Sequence, residues 1–125
     1  MNELRVDIED TTLSEGQEVL YQGVPLTGEV IRTTAGGVVV TAKQYRDGLE
    51  EGTQREWYGD GTRQSEYTVV DTNVTGETLD WHRNGQLARR QEFDEYGELR
   101  KREVWDEDGV PQPDEAVDDR ADDAE

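Results

Sequence analysis

His82 is the single histidine of a chain that carries 31 acidic residues and no cysteine, and these counts bound the chemistry it could perform. Without cysteine there is no thiolate nucleophile, no disulfide and no sulfur-ligated zinc. One histidine cannot form a His-x-x-x-His metal pair, and the sequence holds no nucleophile elbow and no phosphate-cradling glycine loop ahead of a helix. Gly36-Gly37 reads as a hairpin turn instead. The stretch "WDEDG" at 105–109 resembles the opening of a calcium loop, but the full pattern, ending in a bidentate glutamate, is incomplete. Paired carboxylates could do glycosidase work, yet with 31 acids such pairs arise everywhere and nothing selects two of them. No catalytic residue, metal ligand or cofactor is expected, and the chain reads as a non-enzyme.

Its charge sets the class of partner. Thirteen Lys and Arg against 31 Asp and Glu leave a net charge of −18, which repels nucleic-acid phosphates and anionic membrane surfaces and favours a basic protein partner. The first residues, "MNELRVDIED", are charged, and no stretch is long and apolar enough to span a bilayer, so a cytoplasmic location is expected. Only 31% of residues are hydrophobic and 35% are charged, too few apolar side chains for a thick two-layer core.

The elements that position His82 recur along the chain. Trp57, Trp81 and Trp105 are 24 residues apart, and Gly37, Gly61, Gly85 and Gly109 keep the same step, each closing a Gly-Gly, Asp-Gly or Asn-Gly dipeptide. Gly28, Gly52 and Gly76 form a second series, whose next member would be Arg100. A third holds Tyr21, Tyr45, Val69 and Phe93. Each unit reads as strand, tight turn, strand, as in "GETLDWHR", "NG", "QLARRQEF". The expected fold is all-β: an elongated antiparallel β-meander of hairpins with period 24, a single-sheet solenoid.

Parity then fixes the turn. A three-residue loop, Arg83-Asn84-Gly85 with the glycine in a left-handed bulge, pairs Trp81 with Leu87, whereas a two-residue loop pairs it with Ala88. The three-residue loop places Leu79, Trp81, Leu87 and Phe93 on one face. That face would also collect Ile31, Val39, Tyr45, Trp57, Tyr67 and Val69. The other would be polar, with Gln54, Glu56, Thr78, Asp80, Gln86 and Glu92. Packed by curl of the sheet and by its caps, the tryptophan stripe is expected to be core.

Residues 1–20 fall outside the period and form an N-terminal cap, in which Leu4, Val6 and Ile8 alternate like a strand that covers the first edge. The hairpin repeats occupy 21–111. Residues 112–125 hold a run of acids with two nearby prolines and read as a disordered acidic tail.

These residues carry a family resemblance. "YQGVPLTGEV", "YRDGLEEGTQREWYGDGTRQSEY" and "GETLDWHRNGQLARRQEFDEYGELRKREVWDEDG", with G-x-x-x-x-W-x-x-[ND]-G at 52–61 and 76–85, resemble the MORN-repeat variant of bacterial YwqK-family antitoxins. The resemblance covers residues 21–111. Gly36-Gly37, Thr33 in the tryptophan slot and Arg100 depart from the pattern, so contact residues are not carried over. It implies an antitoxin or immunity protein that binds and neutralises a cognate toxin; the alternative is a scaffolding repeat protein without one.

For the partner surface the candidates are Glu56, Tyr58, Asp80, His82 and Glu92. His82 occupies a slot held by Tyr58 and Asp106 in the neighbouring units, which points to a structural or surface role. Arg83, Arg89, Arg90, Arg100, Lys101 and Arg102 form one basic cluster with three readings: cross-strand ion pairs, a landing site for the acidic tail, or nucleic-acid binding, which the net charge disfavours. An open sheet edge permits dimerisation without requiring it.

Overall fold

The computed structural model describes residues 4–113. Among these residues the fold is all-β, built from thirteen short strands and one 3-10 turn over Ile8–Asp10. Ten strands make one large sheet: β1 (Arg5–Asp7), β5 (Gly28–Thr33), β6 (Val39–Arg46), β7 (Leu49–Glu50), β8 (Gly52–Trp57), β9 (Arg63–Val70), β10 (Asn73–Trp81), β11 (Leu87–Phe93), β12 (Leu99–Trp105) and β13 (Pro111–Gln112). From β5 onward the neighbours are antiparallel hairpin partners, with β7 attached to β6. A second sheet, which departs from the single sheet expected, joins β2 (Thr11–Leu13), β3 (Val19–Tyr21) and β4 (Val24–Pro25).

Of the strand expected over Leu4, Val6 and Ile8, only Arg5–Asp7 forms, as β1 on the edge of the large sheet with Val6 opposite Val30, while Ile8 opens the 3-10 turn. It runs parallel to β5, because the small sheet acts as the crossover between them. That small sheet straddles residues 20 and 21, where cap was expected to give way to repeats. The expected tail lies almost wholly in 114–125, outside the described residues; Gln112 pairs with Val104 in β13.

Two kinds of turn alternate between the two ends of the strands. At one end, three-residue loops follow Thr34, Tyr58, His82 and Asp106. The amides of Gly37, Gly61, Gly85 and Gly109 close them by donating to those residues' carbonyls at 2.9–3.0 Å. These glycines sit at φ of +86° to +94°, the left-handed position that such a loop requires. Trp81 pairs with Leu87, as parity predicts. At the other end, Gln22-Gly23, Asp47-Gly48 and Asp71-Thr72 are two-residue loops with both φ positive. The last turn at this end, over 94–97, is again a three-residue loop closed by Gly97 on Asp94, in the hairpin where Arg100 replaces the expected glycine.

The faces differ from expectation. Directly opposed residues share a face, and Tyr67 opposes Gln54, Phe93 opposes Gly76, and Gln91 opposes Thr78. Tyr45, Tyr67, Val69 and Phe93 therefore lie with Gln54, Glu56, Thr78 and Asp80. Trp57, Leu79 and Trp81 lie on the opposite face, and Glu92 lies with them. The loop length is as predicted, but the ladder slips by one residue just beyond each loop, between Glu56 and Trp57 and between Asp80 and Trp81. This second bulge reverses the parity of everything beyond it.

The apolar core sits where the small sheet meets the large one. Val6, Leu26 and Val30 are buried, with Val19, Tyr21 and Tyr45 packed against them. Three backbone hydrogen bonds form a ring at the junction: Val19 N–H to Gly48 O, Gly48 N–H to Leu26 O, and Leu26 N–H to Val19 O, at 2.8–2.9 Å. A Cβ on Gly48 would stand 2.8 Å from the Glu18 Cβ, whereas a Cβ on Gly61 would meet nothing within 4 Å. Both glycines have positive φ, which costs an alanine about 1–2 kcal/mol. Gly48→Ala is accordingly expected to lower stability in urea unfolding by more than Gly61→Ala. Equal losses would show that the junction does not depend on this close approach.

Candidate functional site

His82 is part of a row of fasteners that link successive turns at the three-residue-loop end. Tyr58 donates its hydroxyl to the Trp81 carbonyl at 2.7 Å. His82, 24 positions further along, makes the same contact through Nε2 with the Trp105 carbonyl at 2.9 Å. A carbonyl only accepts, so Nε2 carries the proton. Asn84 donates to the Glu107 carbonyl at 2.8 Å, and the Arg83 guanidinium lies 4.6 Å from the centre of the Tyr58 ring. His82→Ala should cost about 0.5–1.5 kcal/mol, while His82→Tyr should recover most of it. Chemical denaturation of both variants checks this, and a tyrosine variant as weak as alanine would contradict it.

The five candidate residues do not come together. Glu56 and Asp80 lie on one face, Glu92 on the other, and Tyr58 and His82 at the strand ends. Each of the acids already has a cation. Glu56 lies 3.5 Å from the Lys43 ammonium and accepts the Ser65 hydroxyl at 3.1 Å. Asp80 pairs with Arg89 at 3.1 Å, and Glu92 with Arg90 at 3.1 Å.

The basic cluster is resolved mainly as cross-strand pairing. Arg90 is a hub that also meets Glu77 and, at 3.1 Å, Glu103. Arg100 pairs with Asp94 at 2.7 Å, and Arg102 donates to the Gln91 amide oxygen at 2.7 Å. Contact of this cluster with the acidic tail falls outside the described residues.

Among the described residues, carboxylates without an ion pair lie at both ends of the strands: Asp60, Asp106, Glu107 and Asp108 at the three-residue-loop end, and a further set at the end with the two-residue loops. Asp47, Asp71 and Glu95, again 24 apart, carry no ion-pair partner among the described residues. Three exposed apolar side chains, Leu49, Val70 and Tyr96, stand beside them. Sequence reasoning passed over this edge because it looked for features shared with the tryptophan series. The 24-residue step of Asp47, Asp71 and Glu95 was the available signal.

Elsewhere the buried polar side chains among the described residues are engaged. A groove of about 450 Å³ is lined by Tyr67, Val74, Thr78, Gln91 and Phe93 with Asp80 and Arg89. Thr78 accepts from the Gln91 amide at 3.3 Å. Among the described residues, no buried side-chain nitrogen or oxygen lacks a partner, and no group of three His, Cys, Asp or Glu could hold a metal. Burial acts to lower the Lys43 pKa, but the hydrogen bond to the Tyr67 hydroxyl and the charges of Tyr67, Glu50 and Glu56 outweigh it, holding the ammonium above its ordinary value. Burial, reinforced by Glu50, raises the Tyr45 phenol in turn. Lys43 is thus a firmly charged cation and a poor nucleophile. Among the described residues no helix is long and apolar enough to cross a membrane.

The chain matches no protein-family model, no curated protein and no solved structure.

Proposed function

We propose that this chain is a non-catalytic, cytoplasmic antitoxin or immunity protein that binds a basic cognate toxin and neutralises it by covering its working surface. The observation that carries this reading is the distribution of charge. Cations on the strands are largely engaged in cross-strand pairs, whereas turn carboxylates such as Asp47, Asp71 and Glu95 face solvent in a chain of net charge −18. Such a surface draws a cationic partner into encounter and repels phosphate. A toxin that acts on nucleic acid needs a positive cleft, and an acidic sheet can occupy that cleft in place of the phosphates.

The same reading takes the large sheet as a MORN-like solenoid of hairpins with a 24-residue step. The spacing of Trp57, Trp81 and Trp105, and the shared hydrogen bond that closes each turn before Gly37, Gly61, Gly85 and Gly109, support it. Repeats of this kind present extended surfaces suited to binding macromolecules.

The test is recovery of the tagged full chain from its native cells at low and at high salt, with partners identified by mass spectrometry. A stoichiometric basic protein, held at low salt and lost at high salt, is expected, because steering charges are screened beyond about 8 Å at physiological ionic strength. Absence of any basic partner at either salt would favour the scaffolding alternative.

A further inference from the structure

We propose that the strand-end edge bearing Leu49, Val70 and Tyr96 is the docking surface for the partner, and that what docks there is a basic amphipathic helix. This rests on the reading of the chain as the binder of a basic protein.

The three side chains are 45%, 41% and 73% exposed and belong to successive turns at one end of the sheet. Those turns touch one another. Asp71 donates its N–H to the Glu51 carboxylate at 3.3 Å, and the Asn73 side chain lies against Gly97. The apolar groups therefore form one interrupted strip and not three isolated residues. Carboxylates interleave with them: Asp47, Asp71 and Glu95, one per hairpin.

Successive turns at one end are two strands apart, which spaces these carboxylates by roughly 10 Å. A helix rising about 1.5 Å per residue presents Lys or Arg at every seventh position with nearly the same spacing, and apolar residues between them would fall over the strip. Among the described residues, the cations near this edge are Arg46, Arg100 and Lys101, and Arg100 is already matched by Asp94 at 2.7 Å and Glu98 at 3.7 Å. The opposite end also carries carboxylates without an ion pair, Asp60, Glu107 and Asp108, but Tyr58, His82 and Asn84 there are engaged in fastening turn to turn. A second copy would bring like charge against like charge on this edge, and an anionic lipid surface would be repelled by it.

The probe is a synthetic helical peptide with Lys at every seventh position and Leu between, compared with a peptide of identical composition in permuted order. Both are titrated into the isotope-labelled full chain and followed by amide chemical shifts. The expected result is movement at residues 47–51, 70–73 and 94–97, with at least tenfold weaker binding of the permuted peptide. The Val70→Ser, Tyr96→Ser double variant should bind at least tenfold more weakly; because both side chains are exposed, its amide spectrum should otherwise match the wild type. Leu49→Ser provides an independent second variant. Movement centred on 58–61, 82–85 and 106–109, or equal binding of the two peptides, would overturn the proposal. If the basic protein recovered from native cells is held equally by wild type and the double variant, this edge is refuted while the functional reading stands. If no basic protein is recovered, that reading fails, and the peptide titration still decides the edge.

Discussion

Gln54→Leu is expected to lower stability by roughly 1–3 kcal/mol, even though it puts an apolar side chain of similar size into a fully buried site. Gln54 has 0% exposure. Its Oε1 accepts from the Gln44 amide at 2.7 Å, and its Nε2 donates to the Gln44 carbonyl at 2.9 Å and to the Gly52 carbonyl at 3.2 Å. The ladder between β6 and β8 pairs only Thr41 with Glu56 and Ala42 with Arg55. Beyond that point the glutamine amide does the work of a neighbouring strand. Leucine leaves the Gln44 N–H unmatched, at about 1–3 kcal/mol, while the Gln44 carbonyl keeps the Glu51 N–H at 3.0 Å. Urea unfolding measures the difference; a leucine variant as stable as the wild type would show that the amide is not needed to complete the sheet.

Trp81→Ala is the second large effect, an expected loss of about 3–5 kcal/mol. Trp81 is 8% exposed, and the Arg63 guanidinium stacks over it at 4.6 Å from the ring centre. Its carbonyl also receives the Tyr58 hydroxyl, so loss of the ring loosens the turn that this bond anchors. Trp105 is only half-buried, and Leu87 stands 24 positions after Arg63, where stacking charge is lost. Trp105→Ala should therefore cost clearly less. Equal losses in thermal unfolding would mean that the three tryptophans are equivalent surface residues and not a graded, partly buried stripe.

The hairpins were legible because glycine after Asn, Asp or Gly needs a left-handed backbone, and because Trp81 and Leu87 make sense only on one face. The slip beyond each loop was not legible. The bulged residues beyond Trp81, Leu87-Ala88, have ordinary strand composition, so nothing in the sequence announces that parity reverses there. Tyr67 and Phe93 were placed on the wrong face for that reason alone. Gln54 looked like a solvent-facing polar residue in an alternating strand; its burial depends on a gap in the β6–β8 ladder that only the fold reveals. The small sheet escaped notice because its strands are two or three residues long and lie partly outside the period. His82 was legible as structural from its variable slot, although its bond to the Trp105 carbonyl was not. The candidate binding residues failed to converge because they were chosen around the tryptophans, whose strand ends are occupied by fasteners.

The central claim is neutralisation by binding, and growth of cells that express the recovered basic partner tests it most directly. The partner is induced alone and together with this full chain, and growth is followed under both conditions. Arrest by the partner alone, relieved when this chain is present in equal amount, is the predicted result. A partner that is harmless alone, or that arrests growth equally in the presence of this chain, would contradict the account.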